Sequence, residues 1–373
     1  MGFYINEFTY ELKQHLNLSE QAWDIIYNDM RDFYGEEKKQ SFSGFLNRVF
    51  YNFYQDAEGS IDVRSHKKRE ELFDLAKKNA RVFSDPSATE SIVSLLVCEY
   101  EKELVQKASS YPKGVGKKFR VNRQNIDILR ESDASSFYND SIGAYMKAVL
   151  EEYVTLPTAK RESIFFKDVL DTCNMAISKR NKLKLSLQQK VSAKTSELYT
   201  RKFYVSPYAI VTDKNKLFNY LVGISEEILN DGEVSEKRIS SFRISRIEKC
   251  AVMHSMSGFL SQQRIDEIQR EIGKKSPQYM SGDVSDIEVS FSKKGLEMLE
   301  RHLYLRPSSY ERLDDNRYVF HCTELQAIHY FFKFGRDALI ISPERLHKKF
   351  KRYYKDALGI YEQYDEEENK RIL

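Results

Sequence analysis

Along the first 160 residues the apolar positions fall into two kinds of pattern, and each kind occurs twice. "HLNL" (15–18) puts Leu16 and Leu18 on one side and His15 and Asn17 on the other. "KFRV" (118–121) does the same, with Phe119 and Val121 set against Lys118 and Arg120. Such alternation marks a half-buried strand. Each run leads into two stretches at helical spacing. These are "LSEQAWDII" (18–26) and "SFSGFLNRVF" (41–50) after the first, "VNRQNIDIL" (121–129) and "SIGAYMKAVL" (141–150) after the second. Ser19 aligns with Asn122 and Ser41 with Ser141, all residues whose side-chain oxygens accept from the free N–H groups that open a helix. A strand–helix–helix unit therefore occurs twice, with a helical packing insertion over 64–108 between the copies.

Further on the period shortens to two. In "NMAISKRNKLKLSLQQ" (174–189), Leu183, Leu185 and Leu187 alternate with Lys182, Lys184 and Ser186. "RKFYVSPYAIV" (201–211) interleaves cations, aromatics and β-branched residues, and "KLFNYLVGI" (216–224) is more continuously apolar. "SSFRISRIEKC" (240–250) alternates again, Phe242 and Ile244 inward against Arg243 and Ser245 outward. Several short strands without a long helix between them predict a small β-barrel. Two amphipathic helices follow. Leu296, Met298, Leu299 and Leu303 crowd one side of "GLEMLERHLYL" (295–305), while Leu346, Phe350, Tyr354 and Leu358 line a stripe of "SPERLHKKFKRYYKDALGIY" (342–361). That is more apolar helix than one small sheet covers, which marks an interface between copies. The fold class is α+β, with domains at 1–160, 161–280 and 281–373.

Charge changes this picture in one place. The chain of 373 residues carries +3 overall, but 1–160 carry −3, 161–280 carry +7 and 281–373 carry −1. Within 179–216 ten bases face two acids, a concentration that suits an anionic partner. The four cysteines are scattered without a CxxC pair, as in a reducing compartment. With no basic-then-apolar leader and no apolar run of about 20 residues, a cytoplasmic protein without membrane contact is expected. No GxSxG, HExxH or P-loop spacing is present, and no two of the seven histidines lie four apart. Neither catalysis nor a metal or cofactor is expected.

Two resemblances follow from these residues. The doubled strand–helix–helix unit resembles the ribbon-helix-helix fold, which implies a ribbon of the two strands. In that family outward strand residues enter the major groove and the second helix meets a phosphate. By position these would be His15, Asn17, Lys118 and Arg120, with Ser41 and Ser141 at the helix starts. The net acidity of the region points first to a structural ribbon. The blocks "AI-x-x-R…R-K-F-Y-V-S-P-Y…N-Y-L-V-G…F-R-I-S-R-I" resemble a WYL domain, an Sm-like/SH3-like barrel, over about 165–250. Asn219 stands at its name-giving tryptophan position, followed by Tyr220 and Leu221. "GRDALIISPERLHKKFKRYYKDALGIYE" (335–362) resembles the C-terminal α+β extension that pairs subunits in such proteins. Together these features look most like the WYL-domain accessory proteins of type VI-D CRISPR-Cas systems. The resemblance implies a homodimer that binds single-stranded RNA and stimulates an RNA-guided RNase without catalysis of its own. The alternative is a WYL-family transcriptional regulator that reads DNA with the ribbon and senses a nucleotide or nucleic acid with the barrel. Candidate contacts on the barrel are Arg180, Lys182, Lys184, Arg201, Lys202, Tyr204, Tyr208, Lys214, Tyr220, Arg243, Ser245 and Arg246, since Arg forks hold phosphates and Tyr rings stack on unpaired bases.

Overall fold

The two alternating runs of the N-terminal region pair with each other. In the computed structural model β1 (Leu12–Leu18) and β2 (Val115–Val121) form an antiparallel ribbon, with Lys13 opposite Arg120 and His15 opposite Lys118. Leu16, Leu18, Phe119 and Val121 are buried beneath it, while His15, Asn17, Lys118 and Arg120 are exposed. The structure describes all residues except 1, 8, 35–40, 80, 113, 191–197, 214–216, 230–231, 281–283 and 373, and not the side chains of 188–190, 198, 274 and 366–372. The chain divides into two units, one of Met1–Asp171 with Lys216–Phe218 and one of Thr172–Asn215 with Asn219–Leu373.

In the first unit β1 leads into α1 (Glu20–Tyr34) and α2 (Phe42–Phe53). A hairpin of α3 (Ile61–Lys78) and α4 (Pro86–Ser109) comes next; β2 then leads into α5 (Arg123–Glu131) and α6 (Ile142–Thr155). The short α7 (Thr158–Phe165) follows, and the boundary between the units falls inside α8 (Lys167–Lys179). The four N-cap residues act as their chemistry requires. Ser19 and Ser41 hydroxyls accept from Ala22 and Gly44 N–H at 3.2 and 3.1 Å. Asn122 and Ser141 accept from Asn125 and Ala144 N–H at 3.0 and 3.2 Å. Beneath the ribbon, Asn47 donates from Nδ2 to the Arg120 carbonyl at 2.7 Å, and its Oδ1 accepts from Asn122 N–H at 2.9 Å. One amide thus fastens α2 to the turn after β2. Nearby, the Phe45 and Phe165 rings stack at 4.8 Å.

The second unit holds two antiparallel sheets. The first contains β3 (Asn181–Lys190), β4 (Leu198–Thr212), β5 (Asn219–Ile228), β6 (Arg238–Arg243) and β7 (Ile247–Ser257), in the order β6-β5-β4-β3-β7. Where a closed barrel was expected, the ladder among the described residues leaves β6 and β7 unpaired to each other as its two edges. The expected continuous strand over 240–250 is also interrupted, by a 3₁₀ turn at Ile244–Arg246. Pro207 lies inside β4 at a bulge against β5, the position where a residue lacking an N–H fits a central strand. Opposite it Gly223 is required, because a Cβ there would lie 2.3 Å from the Ser206 carbonyl oxygen. The helix α9 (Gln262–Lys275) was not anticipated. It sets Ile268 against Val222 and Ile224 of β5, with Met280 completing the cluster.

The second sheet has the order β11-β8-β10-β9, from β8 (Val284–Phe291), β9 (Tyr310–Arg312), β10 (Arg317–Thr323) and β11 (Ala338–Ser342). Ile287, Val289, Phe291, Phe320 and Ile340 on its inner side pack with Leu299, Tyr330, Phe331 and Phe350. Those partners come from α10 (Lys293–Arg301), α11 (Glu324–Phe331) and α12 (Glu344–Ile372). Among the described residues no helix is long and apolar enough to cross a membrane.

In the first unit Arg161 of α7 reaches the buried Asp29 of α1 with two bonds, of 2.7 and 3.0 Å, and Tyr153 donates to the same carboxylate at 2.9 Å. Burial pushes the Asp29 carboxyl up, and Arg161 pulls it back. Removing one partner of such a pair leaves a charge or a proton stranded in the core. Arg161→Ala is therefore expected to cost about 3–5 kcal/mol in urea unfolding. A loss under about 1 kcal/mol would show that α7 does not depend on this pair.

Candidate nucleic-acid interface

The predicted cations of the first sheet do not form one face. Register places Leu187 opposite Arg201 and Leu185 opposite Phe203, so Arg201 shares the side of the buried leucines. Lys184 lies opposite Tyr204 and Ser186 opposite Lys202, on the reverse side. Two carboxylates follow the same division. Glu226 holds Lys182 at 2.5 Å, and Glu227 grips Arg201 with two bonds, Arg201 Nε to Oε1 at 2.5 Å and Nη2 to Oε2. The Arg201 bonds hold the Glu227 carboxyl below its ordinary range, and Glu227 in turn raises the Arg201 guanidinium. The outward-facing, solvent-held cations expected at 182 and 201 are thus half-buried ion pairs. The Arg201 pair joins the adjacent strands β4 and β5, and the Lys182 pair spans from β3 to β5.

The convergence of charge lies instead at the free edge of β6. A recess of about 480 Å³ runs along Arg238–Arg243. Arg201, Arg238, Arg243, Arg246 and Lys275 line it, with Glu271 as the one carboxylate among its lining residues. Lys275 is held by Glu271 at 2.6 Å. Arg238 and Arg246 are exposed and make no ion pair among the described residues. The geometry follows from local structure. The turn at Ile244–Arg246 ends β6, buries Ile244 and projects Arg246 outward, while Tyr220 lies opposite Arg243 across the ladder. Phe242, buried and 5.2 Å from Phe203, forms the floor. A recess this size lined by guanidinium forks suits phosphates.

Of the predicted contacts, Arg201, Tyr220, Arg243 and Arg246 meet here. Lys184 and Lys202 are exposed on the reverse side, with the Lys184 ammonium 5.9 Å from the Tyr204 ring. Tyr208 packs beside α9 and its hydroxyl accepts from Gln269 at 2.8 Å, so its ring is less open than a stacking platform requires. Arg180 occupies the left-handed turn between α8 and β3 at φ 53°, with its guanidinium 5.7 Å from the Phe259 ring. Ser245 lies in the turn rather than on a strand, its hydroxyl buried with no hydrogen-bond partner among the described residues. Lys214 lies outside the described residues. On the ribbon, Arg120 reaches Glu11 at 3.3 Å and Asn17 accepts from Gly114 N–H at 3.2 Å. Ser41 and Ser141 spend their hydroxyls capping α2 and α6. Sequence reasoning missed Arg238, Lys275 and both neutralising glutamates. The alternation Arg238, Ser240, Phe242 and the spacing Ile265, Ile268, Ile272 carried the signal for the first two.

No family model matches the sequence, and no curated protein matches it. Among solved structures, a CRISPR Cas-related protein aligns with a TM-score of 0.69 at 21% identity, over 97% of this chain and 98% of that one. The two share a fold. The proteasome accessory factor B/C (PafBC) of Arthrobacter aurescens aligns over 96% of this chain and 52% of its own at 11% identity. Its TM-score of 0.29 is too low to mean a common fold.

The Arg201–Glu227 pair has a consequence for pH. A carboxyl held below its unfolded value of about 4.3 contributes stability above that value and loses it as pH falls through the lowered folded value. The melting-temperature difference between the wild type and Glu227→Gln is therefore expected to be largest near neutrality and to close below about pH 4. Thermal melts from pH 7 to 3 check this; a gap that stays constant would show that Glu227 acts through packing alone.

Proposed function

We propose that the chain is a non-catalytic accessory protein that binds single-stranded RNA and stimulates the RNA-guided RNase of a type VI-D CRISPR system. The observation that carries the reading is the cation-lined recess on β6, within a chain that shares the fold of a CRISPR Cas-related protein along nearly its whole length. The order β6-β5-β4-β3-β7, with a short turn before the last strand, is read here as an unclosed form of the Sm-like barrel of a WYL domain. The β1–β2 ribbon, each strand followed by two helices, supports the ribbon-helix-helix reading. In this reading a strand lies along the β6 edge with its phosphates on Arg238, Arg243 and Arg246. Lys184 and Lys202 supply a general attractive field from the reverse side. A recess at a sheet edge admits an unpaired strand more readily than a rigid duplex.

A second reading, a WYL-family transcriptional regulator, draws on the row of exposed cations along the ribbon, where Lys13 and Arg120 pair next to His15 and Lys118. Binding to single-stranded RNA, single-stranded DNA and duplex DNA in parallel separates the two.

Arg243→Ala combined with Arg246→Ala is expected to weaken RNA binding and to flatten the log–log salt slope by about 1.4, at about 0.7 for each lost phosphate contact. Anisotropy titrations over a salt series measure this. An unchanged slope in a folded double variant would remove the β6 edge from the interface.

Pairing of two copies completes the reading. Leu346 and Phe350 of α12 are used in the core of their own sheet, but further along Leu358, Ile360, Tyr361 and Tyr364 are 57–71% exposed. Exposed apolar area on that scale along one helix fits a homodimer, which would present two recesses to one strand and gain by effective concentration. Leu358→Glu with Tyr361→Glu is expected to halve the mass seen by light scattering while circular dichroism stays unchanged. A dimer that survives both changes would put the interface elsewhere.

A further inference from the structure

The contact between Arg201 and Glu227 has the form in which a guanidinium holds a phosphate, with two N–H···O bonds leaving one planar fork. Arg201 lines the β6 recess together with the three arginines assigned above to phosphates, whereas Glu227 is not among the lining residues and reaches Arg201 from the adjacent strand. We propose that Glu227 occupies the seat of an RNA phosphate on Arg201, and that a bound strand displaces it. The proposal rests on the RNA-binding reading and adds to it a built-in competitor.

Three observations support an exchangeable contact. The pair is neither sealed nor free, with 25% of the Arg201 side chain and 22% of the Glu227 side chain exposed, so an incoming oxygen reaches the fork without unfolding anything. The Glu227 backbone is fixed, since its N–H donates to the Ser235 hydroxyl at 2.8 Å and the residue pairs with Phe203 in the ladder, so only the carboxylate has to move. Glu227 does not draw on Arg201 alone, because Arg238 of the neighbouring strand also acts on it electrostatically. Glu226, the adjacent residue on β5, holds Lys182 in a pair of similar burial, so one dipeptide masks a cation of each of two strands.

The exchange makes recognition conditional. A free small anion would have to outcompete a tethered carboxylate, and the tether gives that carboxylate a high effective concentration. A strand already anchored on Arg243 and Arg246 brings its next phosphate to Arg201 under the same advantage. Glu227 therefore discriminates in favour of strands long enough to hold both ends of the recess.

Glu227→Gln keeps the shape and removes the charge. Fluorescence anisotropy with a labelled 12-nucleotide single-stranded RNA, and with single-stranded DNA of the same sequence, is run from low to high salt on the full chain. The variant is expected to bind about four-fold more tightly at 0.15 M salt, with nearly the wild-type salt slope, because the same number of phosphates is held once Glu227 has been displaced. Adding Arg201→Ala to it should abolish that gain. Should the glutamine variant fail to fold, Glu227→Asp, one methylene shorter, is expected to move affinity in the same direction by less. A wild type that binds while the folded Glu227 variant binds equally or less tightly overturns the exchange and leaves the pair a structural one. A wild type that binds neither single strand overturns the RNA reading and the exchange with it.

Discussion

Because the chain leaves the ladder at Ile244–Arg246, β7 does not continue beside β5 but crosses to β3, and much of the second unit's site depends on that interruption. Had β6 run on, its outer edge would offer a longer strand to pair or cover. Ended at Arg243, it remains a short edge. The turn gathers the arginine before the break and the arginine at its end onto one recess, while Ile244, its first residue, and Ile247, just after it, are buried and fix the angle. Apolar burial decides where the turn sits, and Arg246, the charged residue between the anchors, takes the outward position that remains.

The second determinant is the division of charge by strand parity. Successive residues of a strand point to opposite sides, so an acidic dipeptide such as Glu226-Glu227 places one carboxylate on each side of the sheet. Each meets a cation of another strand, Lys182 on β3 or Arg201 on β4. A region with many more bases than acids thus has much of its charge already satisfied across strands. Of what stays available, Lys184 and Lys202 lie on the reverse side, and the arginines gather at the outer edge of β6 and its turn.

Local chemistry made part of this legible in the sequence. The caps at Ser19, Ser41, Asn122 and Ser141 depend on residues within three positions, and the alternation around Leu16 and Phe119 is strict because one side of each strand is fully buried. Leu183, Leu185 and Leu187 were readable for the same reason. The ion pairs were not, because they join residues 26 to 44 positions apart whose meeting depends on register. The break at Ile244 left only a slight mark, since "FRISRI" alternates as far as Ser245 and slips by one residue at Arg246, where the backbone turns. The helix α9 had a readable period, yet its importance to the recess, through Lys275 and Glu271, exists only once it is laid beside β6.

The ribbon of the first unit is assembled from segments about a hundred residues apart in one chain, a closure whose entropic cost grows only with the logarithm of that length. Its formation is unimolecular, so dilution does not dissolve it. The two strands are also free to drift apart in sequence, because a change at His15 is not mirrored at its partner Lys118, as it would be where two identical chains each gave one strand. The accumulated difference, with ammonium, imidazole and amide along one strand and ammonium and guanidinium along the other, leaves the surface without a twofold axis. Anything lying across it meets a left that differs from its right, and so has one orientation rather than two.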